Sequence, residues 1–578
     1  MSEIPETQSV DPPILSRIEQ LHASRREILR LAPEKAMERI LSAKEPAALV
    51  HSFSEEDLHC LILDIGPEDA LPLIALASDR QLQFILDQVV WEKDRLALTS
   101  VIRWMGLLVR ADPDRLVAWF SREQISTLEI CLFRALEVRV REHDQDPSEF
   151  GEGFFSLDNV IYLRPVELSN GKLARDILAD FLKRLADLDY RRFQDIVLES
   201  VALLPAEVEE EAYRLRNVRL GEKGFLPFDE AVGVYQPIRQ PQLEKRARRR
   251  TAGYAEPGIL PPAPVLTSAD SHNGFLFTDA LRLIDSAESR ETLNLEFAAL
   301  CNQLAVADQV TVRGRADLTP IVRKACAYVS IGLETLVRHR TPETGQRPDP
   351  RHWLDRHGVS DLFRLGYGEG MAVKWQAEKW VEKSWFFRHG LPLTFWGEAW
   401  TGVLGGLLLK RPRFYDDRQA GVLYREFERL QEIEESAKTL RRIQAMDELL
   451  SHLGIEDIPK ALNRVLSYEN LLLTLWARHE LNLTESVAPI PVALFRPFYS
   501  RIVRIEGGGG AESAAPEPET KDAMRRWLVH RTGMDPVRLG ETVGDILDAL
   551  FMEIQAEYGA VRIENLDPRF IHLFLLEG

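Results

Sequence analysis

The stretch SEEDLHCLILDIGPEDALPLIALASDRQLQFILDQV, residues Ser54 to Val89, decides the fold class. Ser54 stands at an N-cap position, its hydroxyl placed to accept from the open amides of a first helical turn, and Asp57 holds the place of the returning carboxylate of a capping box. Leu58, Leu61, Ile62 and Ile65 follow at helical spacing and form one apolar stripe. Gly66-Pro67 closes that helix and opens the next, since glycine tolerates a left-handed ending and proline suits a first helical position. Ser78 opens a third, with Leu82, Ile85, Leu86 and Val89 on one face. Helices of only two or three turns are marginal alone in water, so these must stack on their neighbours. The same punctuation runs from Leu49 to about Ala111.

Composition bounds the rest. The chain has 578 residues, 45% of them hydrophobic and 28% charged, as in a soluble multidomain protein. A formal charge of −18 opposes broad binding to nucleic-acid phosphates or anionic membranes. One dense basic run, Lys245 to Arg250, reads as a solvated linker. Cys60, Cys131, Cys301 and Cys326 lack C-x-x-C spacing and fall in apolar helical patterns, which fits a reducing cytoplasm. The N-terminal MSEIPETQSV has no export signal, and the apolar run Ala399–Leu409 is too short to span a bilayer. A cytoplasmic location is expected.

The run Ile65 to Asp87 resembles the short-helix superhelical domain at the N-terminus of MgtE-type magnesium transporters. That resemblance implies a superhelical stack; the transporters' membrane helices have no counterpart, so it does not extend to transport. A longer pattern, from that run through LLPAEVEEEAYRLRNVRLGEKGFLPFDEA to the tryptophan-rich block, resembles an uncharacterised bacterial family, a domain of unknown function that lends no activity.

The crowded segment Val208 to Tyr235 reads as a helical corner. Pro205 fits a first helical position, Glu207, Glu209, Glu210 and Glu211 fill the early turns, and Arg214, Arg216 and Arg219 the last, as the helix dipole favours. Val208, Ala212, Leu215 and Val218 are the expected inward stripe, Glu210 and Arg214 the expected i,i+4 pair, and Gly224-Phe225-Leu226-Pro227 the turn.

Further along, prolines between Pro237 and Asn273 mark a linker, and Gly507 to Pro518 a second. The expected organisation is a helical extension over 1–48, a short-helix domain over 49–236, a linker over 237–273, a tryptophan-rich helical domain over 274–506, a linker over 507–518 and a small helical unit over 519–578. Periodicity from Asp416 to Leu453 predicts one long helix. The fold class is all-α, a superhelical stack of short hairpins followed by a second helical domain.

Phosphate-loop, zinc-protease and serine-hydrolase signatures are absent. Gly366, Gly368 and Gly370 miss dinucleotide spacing and read as a break between helices. Glu56 and His59 form a single E-x-x-H where a di-iron bundle needs two, and read as coincidence. The region that stands apart is Trp353 to Trp400, with Trp353, Trp375, Trp380, Trp385, Trp396 and Trp400. Trp375, His389, Trp396, Glu398 and Trp400 are its candidate pocket residues: a carboxylate bracketed by indoles gains a raised pKa if desolvated, and enclosed indole N–H groups seek acceptors. Gly402 and Gly406 have the spacing that permits close helix packing. The expected function is protein interaction or scaffolding, with unnamed protein partners, no cofactor and no metal. The alternative is an enzyme or small-ligand binder with its pocket in Trp353–Trp400.

Overall fold

In the computed structural model, residues 12–143, 145–166, 171–245, 263–268, 272–339, 349–418, 421–455, 457–462, 465–503, 518–559 and 561–577 are described. Their secondary structure is all-α in class, with twenty-six α-helices and a few strands of two to five residues. The chain divides into two compact units, Met1–Leu365 and Gly366–Gly578. No described helix is long and apolar enough to cross a membrane.

The Ser54–Val89 stretch folds largely as its residues dictate. Ser54 caps the helix Glu55–Ile65 by accepting from the Asp57 amide at 3.1 Å, and Leu58, Leu61 and Ile62 are fully buried. Gly66 ends it at φ +100°. The next helix is Leu71–Leu76, starting later than Pro67, because residues 67–69 form a turn first. Ser78 and Gln81 form a complete capping box for Asp79–Val89, and Gln81 also donates to the carbonyls of Val50 and Phe53 at 2.9 Å, so the cap doubles as a tie between helices. Asp57 does not complete a capping box, although the Ser54 side chain bonds its carboxylate. Its carboxylate accepts from the Val265 and Leu266 amides at 2.7 and 2.9 Å, fixing a segment distant in sequence.

One hydrophobic cluster runs from Ile28 to Val197 through these helices and Leu98–Ala111, Pro113–Glu123, Ile125–Ala135, Gly171–Leu188 and Tyr190–Val201. In the chain between Ile125–Ala135 and Gly171–Leu188 stands an antiparallel sheet of Leu136–Val140, Ile161–Pro165 and Phe155–Ser156, with Ile161–Pro165 central. Its first strand, LEVRV, alternates with period two directly after a helix, too briefly to stand out from the helical pattern around it.

The helix Pro205–Gly221 begins at Pro205 as expected, and Val208 of the expected stripe packs against the core, but the inward face also carries a charge. Glu209 and Leu220 are its buried residues, whereas Leu215 and Val218 are 46% and 57% exposed. Glu209 meets Arg134 in a two-pronged pair at 2.7 and 3.0 Å and accepts from the Leu96 amide at 2.8 Å; Arg219 grips Asp87 the same way at 2.8 Å. Paired charges bonded at both ends outweigh an apolar stripe on a helix clamped at the edge of the core. Arg214 pairs with Glu211 rather than Glu210. The turn beyond needs its glycine: Gly224 has φ +85°, and a Cβ there would lie 2.3 Å from the Ala299 carbonyl oxygen.

Of the proline-rich segment 237–273, residues 246–262 and 269–271 lie outside the described residues, and with them most of the Lys245–Arg250 run. The Gly-rich stretch 507–517 also lies outside them. Helices Leu276–Arg282, Ala287–Ala307, Arg315–His339 and Arg351–Arg356, with the start of Val359–Val381, also belong to the first unit.

In the second unit the predicted long helix is shorter, Leu430–His452. The strands Phe414–Tyr415 and Tyr424–Arg425 instead form an antiparallel hairpin, pairing Tyr415 with Tyr424 and Phe414 with Arg425. Arg425 explains why: it binds Asp416 at 2.7 Å and Glu432 at 2.7 Å, which holds both carboxylates around a turn rather than along a rod. Gly402 and Gly406 do permit a close approach, but to this hairpin: a Cβ at Gly402 would sit 2.4 Å from the Tyr415 ring. Gly366, Gly368 and Gly370 do not break the chain; they lie within Val359–Val381, where buried Leu362, Phe363, Val373 and Ala377 outweigh a glycine cost of about 1 kcal/mol each. The C-terminal helices Pro518–Thr532 and Pro536–Tyr558 are docked: Tyr499 donates to the Tyr558 carbonyl at 2.9 Å, and Ile490 pairs in parallel with Leu576.

Candidate functional site

The tryptophan region contributes an aromatic cluster to the second unit. Trp396 is buried, with its ring centroid 5.1 to 6.3 Å from Trp380, Phe386, Phe395, Trp400 and Tyr468. Trp400 stacks flat on Tyr468 at 4.6 Å. His389 lies 4.4 Å from the Trp385 ring, with Nδ1 2.8 Å from the Trp385 carbonyl. Glu398 is exposed at the start of Gly397–Leu408, and Trp375 is 44% exposed. The structure therefore brings Trp396 and Trp400 together, places His389 against Trp385, and leaves Trp375 and Glu398 in solvent. The Trp396 indole N–H, expected to find an acceptor, has none among the described residues.

The carboxylate that orders this cluster is Asp447, which the sequence reading passed over as one more residue of a long helix. It accepts from the Trp385 and Phe386 amides at 3.1 and 2.9 Å and from the Trp380 indole at 3.3 Å. Burial raises its pKa, and those three donors oppose the rise. An acid inside the apolar series Ile443, Met446, Leu450 is the signal that marks it.

A different constellation emerges in the first unit. Arg25 and Arg26 from Pro12–Ile28, Arg30 just beyond, Arg282, Arg290 from Ala287–Ala307, and Arg315 at the head of Arg315–His339 all line one cleft of about 730 Å³. Among the described residues Glu291 is the only carboxylate in its lining, and its oxygen already accepts from the Ala263 amide at 2.6 Å. Val265, Leu266, Ser268, Asn273 and Asn294 fill in the wall. In a chain of net charge −18, this is a concentrated patch of the opposite sign.

Each inner arginine is positioned by the fold yet keeps one nitrogen unused. Arg25 donates to the Ser52 carbonyl at 2.6 Å and the Ala263 carbonyl at 3.1 Å; its buried Nε has no acceptor among the described residues. Arg290 donates to the Ile284 carbonyl at 2.5 Å, and its Nε is likewise buried without an acceptor. Arg315 is held by Asp64 at 2.5 Å and the Leu29 carbonyl at 2.6 Å, leaving Nη2 in the same state. Burial lowers the Arg25 pKa, while Asp57 and then Glu291 act against that. An unmade hydrogen bond from a buried charged donor costs on the order of 1–3 kcal/mol, so three around one cleft are an unmet demand for oxygen acceptors. Guanidinium groups match carboxylate and phosphate oxygens in two-pronged geometry.

Sequence reasoning missed this cleft because its arginines come from four segments spread over nearly three hundred positions, none of them a motif. No described group of three or more His, Cys, Asp or Glu side chains is arranged to hold a metal ion. All four cysteines are buried free thiols, each with its pKa raised by burial.

Neither a curated protein nor a solved structure matches the chain. The model of a family of unknown function, DUF6178, matches residues 13–577, and the chain belongs to that family.

Proposed function

We propose that the first unit binds a small, multiply charged oxyanion, a phosphate- or carboxylate-bearing molecule, in the arginine cleft. One observation carries this reading: Arg25, Arg290 and Arg315, from three separate helices, line the same cleft, and each holds a buried nitrogen without an acceptor among the described residues. The cleft volume of about 730 Å³ falls in the range of small-molecule sites. Native mass spectrometry of the protein purified from its own cells tests it. An anionic adduct that disappears from the variant carrying Arg30→Glu and Arg290→Met supports the proposal; an adduct retained by that variant opposes it.

A second reading keeps the expected protein-interaction or scaffold role, with the short N-terminal helices stacked as a superhelix. It is supported by Leu198, Val201, Leu215 and Val218, large apolar side chains exposed on two consecutive helices, and by exposed Leu204 between them. The same spectra distinguish the two, since a co-purifying protein subunit in place of a small anion favours the scaffold.

A further inference from the structure

The E-x-x-H of Glu56 and His59 lines a second cleft of about 690 Å³ in the first unit, together with Phe84 and Gln88 from Asp79–Val89 and Phe225 from the turn after Gly224. Three of its polar side chains are incompletely satisfied. Glu56 Oε2, His59 Nε2 and Gln88 Nε2 are buried and have no partner among the described residues. The other Glu56 oxygen takes Lys223 at 3.0 Å, and Lys223 also binds Glu55 at 2.9 Å, so the carboxylate already has its counter-charge. Lys223 is itself tied down, its carbonyl accepting from Asn302 at 2.7 Å and its ammonium lying 5.4 Å from the Phe84 ring. His59 is packed edge-on to Phe84 at 5.9 Å, and burial holds the imidazole neutral, with its pKa at about 4.

These groups define a complement. A compensated carboxylate and a neutral imidazole disfavour net charge in the buried part of the cleft, where that charge is desolvated without a new partner; among the described residues the one lining cation, Arg313, is exposed at the rim. Glu56 Oε2 asks for a donor and the Gln88 amide for an acceptor, close to Phe84 and Phe225, whose rings stand 6.1 Å apart. Two oriented polar groups set into an apolar wall are the usual construction of a small-molecule site. We infer that this cleft is a second ligand site, for a small neutral molecule joining an aromatic ring to a carboxamide- or lactam-type donor–acceptor pair.

Benzamide is a suitable probe, followed by saturation-transfer NMR on the full chain, with benzoate as the charged control. The expected result is transfer to benzamide that exceeds transfer to benzoate and weakens about tenfold in affinity for Gln88→Leu. Because Gln88 is partly inside the core, a second variant guards against misfolding: Val310→Trp fills the cleft from an exposed lining position and should abolish transfer. Arg290→Met, in the other cleft, should leave it unchanged, so that this inference and the oxyanion proposal fail separately. No transfer to benzamide, equal transfer to benzoate, or transfer that survives Val310→Trp overturns it.

Discussion

Arg315 and Asp64 form an ion pair at 2.5 Å across 251 residues of sequence, and that pair aims a guanidinium into the edge of the arginine cleft. Asp64 also accepts from the Arg315 amide at 3.2 Å, so backbone and side chain are fixed by one carboxylate. The neighbouring Gly314 leaves the space: a Cβ there would stand 2.4 Å from Asp64 Oδ1. A helix that begins on an acid from a distant helix is thereby locked in register with it.

If Asp64 positions Arg315 for a ligand, Asp64→Asn should weaken pyrophosphate binding about three- to tenfold, although Asp64 does not line the cleft. Calorimetric titration measures this. Unchanged affinity would separate the ion pair from the site and leave it a purely structural bond.

Gly224→Ala should destabilise the first unit by roughly 2–4 kcal/mol, since the residue must adopt φ +85° and its new methyl meets the Ala299 backbone. A urea titration reads the change. Gly221→Ala, on a residue whose added Cβ meets nothing within 4 Å, is the control and should cost little.

Asp447→Ala should cost the second unit about 2–4 kcal/mol, because two backbone amides and an indole lose one shared acceptor. Tryptophan fluorescence should shift to the red as the cluster loosens. A fluorescence spectrum and denaturation midpoint like those of the wild type would remove Asp447 from the role assigned to it.

His59 gives a pH dependence of definite sign. Its folded pKa of about 4 lies below the ordinary 6.5, so between those values the unfolded chain binds the proton and the folded chain does not. Its contribution is complete above pH 6.5 and is lost as pH falls toward 4, by up to about 3 kcal/mol. Glu56, whose pKa is raised by burial, works in the opposite direction, so the comparison must be between wild type and His59→Gln at each pH. The stability advantage of the wild type should shrink from pH 7 to pH 4; a constant difference contradicts a buried neutral imidazole.

What was legible in the sequence is what local chemistry controls. Ser54 and Ser78 mark helix starts, Pro205 a helix entry and Leu58, Leu61 and Ile62 a core face, because caps and periodicity act within a few residues. Legibility failed where distant charges decide the geometry. Glu209 turned a helix face inward through Arg134, and Arg425 tied Asp416 beside the hairpin to Glu432 of the following helix where the apolar spacing alone continued a helix. The arginine cleft belongs to the same class: Arg25, Arg290 and Arg315 are ordinary surface-type residues until the fold brings them to one wall. Tryptophan density drew attention to Trp353–Trp400, yet the larger number of unsatisfied cleft-lining atoms lies in the first unit.

The most direct measurement is isothermal titration of the full chain with pyrophosphate at low ionic strength, with inorganic phosphate and citrate in parallel. Single-site saturable binding of at least one of them, weakened tenfold or more by Arg30→Glu with Arg290→Met, is the predicted result. No saturable heat from any of the three, or equal binding by the double variant, would contradict an oxyanion site in the cleft.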